Sequence, residues 1–272
     1  MILTPDEFTD FTNFIKDKFG LIFKSNKIEL LSKVIENRLE HAGFENFSAY
    51  IEYLRNSFGV SGEYDYLVEN LTTRETSFFR FLPQLESLEK KVFPEIFERK
   101  IKSGKKELKI WSAGISTGQE PYTIGLILDK LIPLRRTWNI DILGTDITKD
   151  VLNKANDCRY PIESLNEIPK EFHKKLVIMS NYFTIMPDIK KMMSFKFLNL
   201  INEIYPVGMD IIMCRNVLIY FSHSFRNRIV EKFYRCLNKG GYLFLGHTES
   251  MHSFKHGFKQ NFVKDAVYYT KE

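Results

Sequence analysis

The sequence predicts an α/β fold: a doubly wound, mostly parallel sheet preceded by a small all-helical domain. Three observations carry this. Apolar residues recur at helical spacing through residues 4–70, then give way to short apolar runs that alternate with helical patterns, as in a parallel sheet covered on both faces. The stretch WSAGISTGQEPYTIGLIL, Trp111 to Leu128, reads as strand, small-residue turn and helix; in such sheets a ligand sits beyond the carboxyl ends of the strands. A second apolar strand ends in an acid, Asp146 of ILGTDIT.

The helical part opens on Thr4-Pro5-Asp6-Glu7, a cap residue, a proline at the first helical position and acids in the first turn. Phe8, Phe11, Phe14, Ile15 and Phe19 follow at intervals of three and four, and Gly20 ends the run. A second helix covers Lys27–Ala42, with Ile28, Leu31, Val34, Ile35 and Leu39 on one face and Gly43 as its stop. Ser48–Asn56 and Glu63–Leu71 make two more. Residues 1–82 are assigned to the helical domain, 83–104 to a linker helix interrupted at Pro94, and 105–272 to the α/β domain. Strands are expected at Leu108–Ala113, Asp141–Thr145, Phe195–Phe197, Asp210–Cys214, Gly241–Leu245 and Ala266–Tyr269. Helices are expected at Glu120–Leu131, Lys149–Cys158 and Ser224–Leu237. No helical period separates the last two strands, so they are expected to form an antiparallel hairpin.

Composition bounds the function. The 272 residues include no run of 18 apolar ones, which excludes a helical membrane span, and no signal peptide is recognisable. Cys158, Cys214 and Cys236 are odd in number and far apart, as expected of free thiols in a reducing cytoplasm. His247 and His252 have no cysteine near them, so no zinc site, and no metal, is expected. Residues 1–90 hold 10 basic and 15 acidic side chains, whereas the remainder hold 29 and 19. The second part is therefore basic enough to attract an acidic partner, or simply well solvated. It lacks the interleaved basic and aromatic stripe of a nucleic-acid binder.

Four segments carry polar groups where chemistry belongs. Asp146 is placed to accept hydrogen bonds from ribose hydroxyls, or to cap the helix that follows. It stands 28 residues beyond Gly118, more than the ~20 of a dinucleotide site, and the third glycine of that motif is missing. A nucleoside-type ligand without pyrophosphate fits better, and S-adenosylmethionine is of that kind. Glu120 is either a favourable charge in a first helical turn or an acid beside a cationic cofactor. Arg215 and Asn216 end the buried strand of DIIMCRNVLIYF, with Tyr220 just beyond. In LTTRETSFFR, Leu71 to Arg80, Thr72, Thr73, Arg74, Thr76 and Arg80 surround Phe78 and Phe79, which read as packing residues.

TTRETSFFR, WSAGISTGQEPYTIG, GTDIT and CRNVLIYF, followed by GGYLFLGHTES, together resemble the chemotaxis receptor methyltransferases, the CheR-type protein-glutamate O-methyltransferases. The resemblance runs from about residue 4 to 270. It implies a Rossmann-like S-adenosylmethionine-dependent methyltransferase domain behind a helical N-terminal domain. The implied reaction is methylation of receptor glutamates to methyl esters, releasing S-adenosylhomocysteine, in the cytoplasm and by a monomer. Family cofactor positions fall on Arg74, Thr76, Arg80, Glu120, Asp146, Asn199, Leu200, Arg215 and Asn216. Arg74 departs from the asparagine usual there. Arg80 and Tyr220 fall on positions beside the transferred methyl. The resemblance also implies that the cytoplasmic helical region of the receptors is the partner. Tethering by a receptor's C-terminal pentapeptide is not expected, because Tyr182 to Leu200 leaves room only for a short hairpin near 182–197, around Pro187-Asp188. Lys24, Lys27, Lys33 and Arg38 form a basic face for the receptor or, with Glu29, Glu36 and Glu40, a salt-bridged helix. A non-catalytic scaffold of the same fold is the alternative, and retention of Arg80, Glu120, Asp146, Asn216 and Tyr220 argues against it.

Overall fold

The computed structural model describes residues 3–56, 62–72, 75–132, 137–201, 203–251 and 257–272. The chain divides into two compact units, residues 1–74 with 220–226, and 75–219 with 227–272.

The first unit holds α1 (Pro5–Phe19), α2 (Ile28–Ala42), α3 (Phe47–Asn56) and α4 (Glu63–Leu71). Thr4 caps α1 reciprocally: its hydroxyl accepts from the Glu7 N–H, and the Glu7 carboxylate accepts from the Thr4 N–H at 2.8 Å. Phe11, Ile15, Leu31, Ile35, Tyr50, Leu54 and Leu67 meet in its core. Arg38 of α2 forks onto Glu63 of α4, its Nε donating to Oε1 at 2.9 Å and to Oε2 at 2.7 Å. The Tyr50 hydroxyl donates to the same carboxylate at 3.3 Å. Residues 220–226 join this unit through the Ile22 N–H, which donates to the Tyr220 carbonyl at 2.9 Å, and a bridge between Leu21 and Phe221.

The second unit is built on a seven-stranded sheet in the order β6-β2-β1-β7-β8-β10-β9. Its strands are β1 (Glu107–Ala113), β2 (Asn139–Asp146), β6 (Met193–Phe197), β7 (Met209–Cys214), β8 (Leu237–Leu245), β9 (Phe258–Val263) and β10 (Ala266–Lys271). The first five of these are mutually parallel, and β10 runs antiparallel to both β8 and β9. All six residues of β7 are buried, as expected of a parallel strand covered on both faces. The order reverses between β1 and β7, which opens a crevice at the carboxyl ends of these strands. Around the sheet lie α5 (Leu82–Ser87), α6 (Phe93–Lys102), α7 (Gln119–Leu131), α8 (Lys149–Asp157), the short α9 (Pro187–Lys190) and α10 (His223–Cys236).

Five expectations change. Strands β8 and β10 do pair, but they are not a hairpin: β9 lies between them in sequence, and β10 inserts between β8 and β9 in the sheet. The boundary falls at residue 74 rather than 82, because Phe78 and Phe79 are buried in the second unit's core, against Tyr160 at 4.8 Å and Phe172 at 4.9 Å between ring centroids. Residues 83–104, expected as a linker helix, are helical through Lys102 but belong to the second unit: Leu85, Leu88, Val92, Phe93 and Ile96 lie in that same core. Pro94 does not break the helix; a π-helical turn, Leu88–Val92, precedes it, with the Phe93 N–H reaching back to Leu88 O.

The fifth change concerns residues 182–197. They form no hairpin. Tyr182–Ile185 is β5, the middle strand of a separate three-stranded antiparallel sheet with β3 (Arg159–Pro161) and β4 (Leu176–Ile178), whereas β6 joins the main sheet beside β2. A small β-subdomain is therefore present, assembled from segments that lie before residue 182 as well as after it. The ground given against peptide tethering, too little room, is removed.

Candidate active site

Strand β1 delivers Ser112 to the carboxyl edge of the sheet and then turns through Gly114 (φ 78°), Ser116 (φ 51°) and Gly118 (φ 95°) into α7. The glycines serve packing inside the chain first. A Cβ on Gly114 would lie 2.4 Å from Val217 Cγ2, and one on Gly118 2.9 Å from the Ala155 Cβ. The turn is pinned to β2: Gly114 and Ile115 N–H groups donate to Thr145 O at 2.7 and 3.1 Å, and the Ser116 N–H donates to Asp146 Oδ2 at 2.9 Å.

Asp146, at the end of β2, also accepts through Oδ1 from the Thr148 N–H and hydroxyl, both at 3.2 Å. These bonds hold the carboxylate upright between two loops, ahead of the first turn of α8. Its backbone carbonyl accepts from the Leu198 N–H at 3.0 Å, which brings the loop after β6 alongside. In that loop the buried Asn199 accepts from the Ile201 N–H at 3.1 Å, and Leu200 offers its carbonyl to the Tyr205 hydroxyl.

The second focus is a buried charge pair. Glu120, in the first turn of α7, accepts from the Ser112 hydroxyl at 2.6 Å and from Arg215 Nη1 at 3.3 Å. Arg215 Nη2 donates to the Arg80 carbonyl at 2.5 Å. The Arg215 side chain is 5% exposed, and its Nε is buried without a partner. Burial lowers the Arg215 pKa, with Glu120 opposing that and Arg80 adding to it. This guanidinium is therefore held in a poorly compensated place, which favours an additional anionic neighbour.

Asn216 follows in the left-handed conformation, φ 60°, which asparagine tolerates better than most residues. Its N–H donates to Glu249 Oε2 at 2.9 Å. Arg80 is half-buried, with Nη1 donating to Glu75 O at 2.7 Å. Thr76 is half-buried in the same segment. A cavity of about 210 Å³ at the end of β8 is lined by Phe81, Gln84, Leu245, Gly246 and Glu249 among others.

The structure thus brings together Glu120, Arg215 and the backbone carbonyl of Arg80 in one network, and Asp146 with the Asn199–Leu200 loop in another; the Arg80 guanidinium bonds to Glu75 O. Arg74 lies outside the described residues, and Tyr220 belongs to the first unit. Sequence reasoning missed Ser112, Ser116, Thr148 and Glu249. The last lies within GGYLFLGHTES, a motif noted without a role for its acid.

Comparison with known families decides the identity. The profile described as "CheR methyltransferase, SAM binding domain" matches residues 74–267, and "CheR methyltransferase, all-alpha domain" matches residues 6–72. The chain belongs to the CheR methyltransferase family. It is 34% identical to the chemotaxis protein methyltransferase of Borreliella burgdorferi over 93% of this chain and 91% of that one. It is 35% identical to chemotaxis protein methyltransferase 2 of Vibrio cholerae over 99% and 94%, and 28% identical to its Listeria monocytogenes counterpart over 92% and 93%.

A CheR-family chain takes S-adenosylmethionine (SAM), and the residues present fit it. SAM carries a ribose diol, a sulfonium, an ammonium and a carboxylate. The site offers an acid at the end of β2 for the diol, an acid in the first turn of α7 for positive charge, and an under-compensated arginine with an orphaned N–H for negative charge. No metal is called for by this donor set, and among the described residues no cluster of three His, Cys, Asp or Glu side chains stands ready to hold one. Nor, among the described residues, is any helix long and apolar enough to cross a membrane.

Proposed function

We propose that this chain methylates glutamate side chains of chemotaxis receptors, forming methyl esters, in the cytoplasm and as a monomer. The observation that carries the reading is the Ser112–Glu120–Arg215 network set beside Asp146 at the sheet's switch point. The names of the relatives, chemotaxis protein methyltransferases, supply the substrate class.

SAM, when bound, supplies a methyl group made electrophilic by its sulfonium. Asp146 holds the ribose and Glu120 with Arg215 the amino-acid end; Thr76, Asn199, Leu200, Asn216 and Arg74 complete the contacts. The acceptor needs no general base, since a glutamate with pKa near ~4.3 is already a carboxylate at neutral pH. What remains is orientation and exclusion of water. Arg80 is assigned to hold the acceptor carboxylate or the cofactor's tail by its planar fork, and Tyr220 to shape the methyl pocket. A tight bidentate grip would lower the nucleophile's reactivity, so Arg80 positions rather than clamps.

The test is transfer of labelled methyl from SAM to a receptor's cytoplasmic fragment. Base-labile label on glutamate is the expected result. Label that resists base, or none on protein, rejects the reading.

A further inference from the structure

Glu249 touches four backbone amides across two loops and belongs to no assigned role. Its Oε2 accepts from the Gly246 N–H at 2.6 Å and from the Asn216 N–H at 2.9 Å, its Oε1 from the Ile219 N–H at 3.1 Å, and Leu218 donates as well. Its own N–H donates to Gly246 O at 2.8 Å, closing the turn after β8. One side chain thus ties the end of β8 to the loop that leaves β7. A free Glu in a turn faces water; this one is turned inward to satisfy amides that would otherwise be left unpaired.

The clamp is tight. A Cβ on Gly246 would sit 2.7 Å from Glu249 Oε2 and 2.8 Å from the Asn216 nitrogen. Asn216 lies in the left-handed region, where a non-glycine backbone persists only when its surroundings hold it. The Glu249 charge also reaches Arg215, whose positive charge it supports.

We infer that Glu249 is a positioning residue for cofactor binding: its carboxylate fixes the left-handed backbone of Asn216, and thereby aims the Arg215-Asn216 pair into the crevice. The inference rests on the reading of Asn216 as a cofactor contact.

The experiment is a double-mutant cycle on the full-length chain, read as S-adenosylhomocysteine affinity by calorimetry. Glu249→Gln keeps the shape but replaces one acceptor oxygen by a donor. It weakens binding about tenfold, the effect of leaving a buried amide unpaired. In the Asn216→Ala background the same change costs measurably less than in the wild type, because one of the two residues being aimed is gone. Gly246→Ala, which wedges the clamp open without altering charge, serves as the second variant where Glu249→Gln folds poorly, with the same non-additivity expected. Equal affinity of Glu249→Gln and wild type, or losses that add in full, overturns the inference alone: a side chain that only stabilised the fold would lower the melting temperature equally in both backgrounds. An Asn216→Ala variant that binds as wild type removes Asn216 from the site and the inference with it.

Discussion

Among the described residues, each unit of the molecule holds an arginine–glutamate pair screened from most water, and the two pairs are built in opposite ways. In the helical unit, Glu63 receives bonds from both Nε and Nη2 of the Arg38 fork and one from Tyr50. The bonding to Glu63 raises the Arg38 pKa. In the α/β unit, Glu120 receives a single longer bond from Arg215, whose Nε is left over, and burial lowers the Arg215 pKa. The first pair is closed upon itself. The second is incomplete, and what would complete it is a ligand with an anionic end. A buried ion pair thus reports on function through its unused valences rather than through its presence.

The contrast can be broken experimentally. The largest effect is expected from Arg38→Met, which strands Glu63 in a nearly dry place. Unfolding free energy falls by about 3 kcal/mol, seen in denaturant titration, while S-adenosylhomocysteine affinity is unchanged; a loss of affinity would erase the distinction between the pairs. Asp146→Ala is expected to weaken cofactor binding by on the order of 100-fold, through loss of charged hydrogen bonds. Unchanged affinity by calorimetry would remove the ribose role. Arg80→Ala keeps the fold and lowers turnover by on the order of 100-fold, as mispositioning does; wild-type methyl transfer would exclude it from the site. Arg215→Met should weaken binding by on the order of 30-fold and cost less stability than Arg38→Met, because the guanidinium it removes was itself poorly compensated and Glu120 keeps its bond from Ser112. The smallest effect belongs to Arg55→Ala, which breaks an exposed pair with Asp10 at 2.6 Å and is expected to shift stability by under about 1 kcal/mol.

What was legible in the sequence follows the same logic of local against distant causes. Thr4, Gly20 and Gly43 mark helix ends through bonds within four residues, and the structure places caps at each. The parallel strands announce themselves by being apolar on both faces. The three-residue strand Arg159–Pro161 has no period to detect, and its partner lies more than 20 residues along the chain. Strand β9 is half-exposed and reads as loop. In the site, Asp146, Glu120 and Arg215 stand out because charge at a strand end or helix start needs a reason. Ser112 is an ordinary serine until α7 brings Glu120 against it, and Glu249 an ordinary loop acid until β7 and β8 lie side by side.

The insertion of β10 between β8 and β9 has a consequence for how the molecule behaves in a crowd. A sheet's outer strand offers unpaired amides and carbonyls to any extended chain that passes, and is the usual start of aggregation. Consecutive placement would have left AVYYTK, with Ala266, Tyr268 and Tyr269 buried, at that margin. The exchange puts FKQNFV there instead, with Lys259, Gln260 and Asn261 along its length. Strand order acts as a guard: the more buried, aromatic sequence is paired on both sides, and the one left outside is the more polar, Phe262 being its exposed exception.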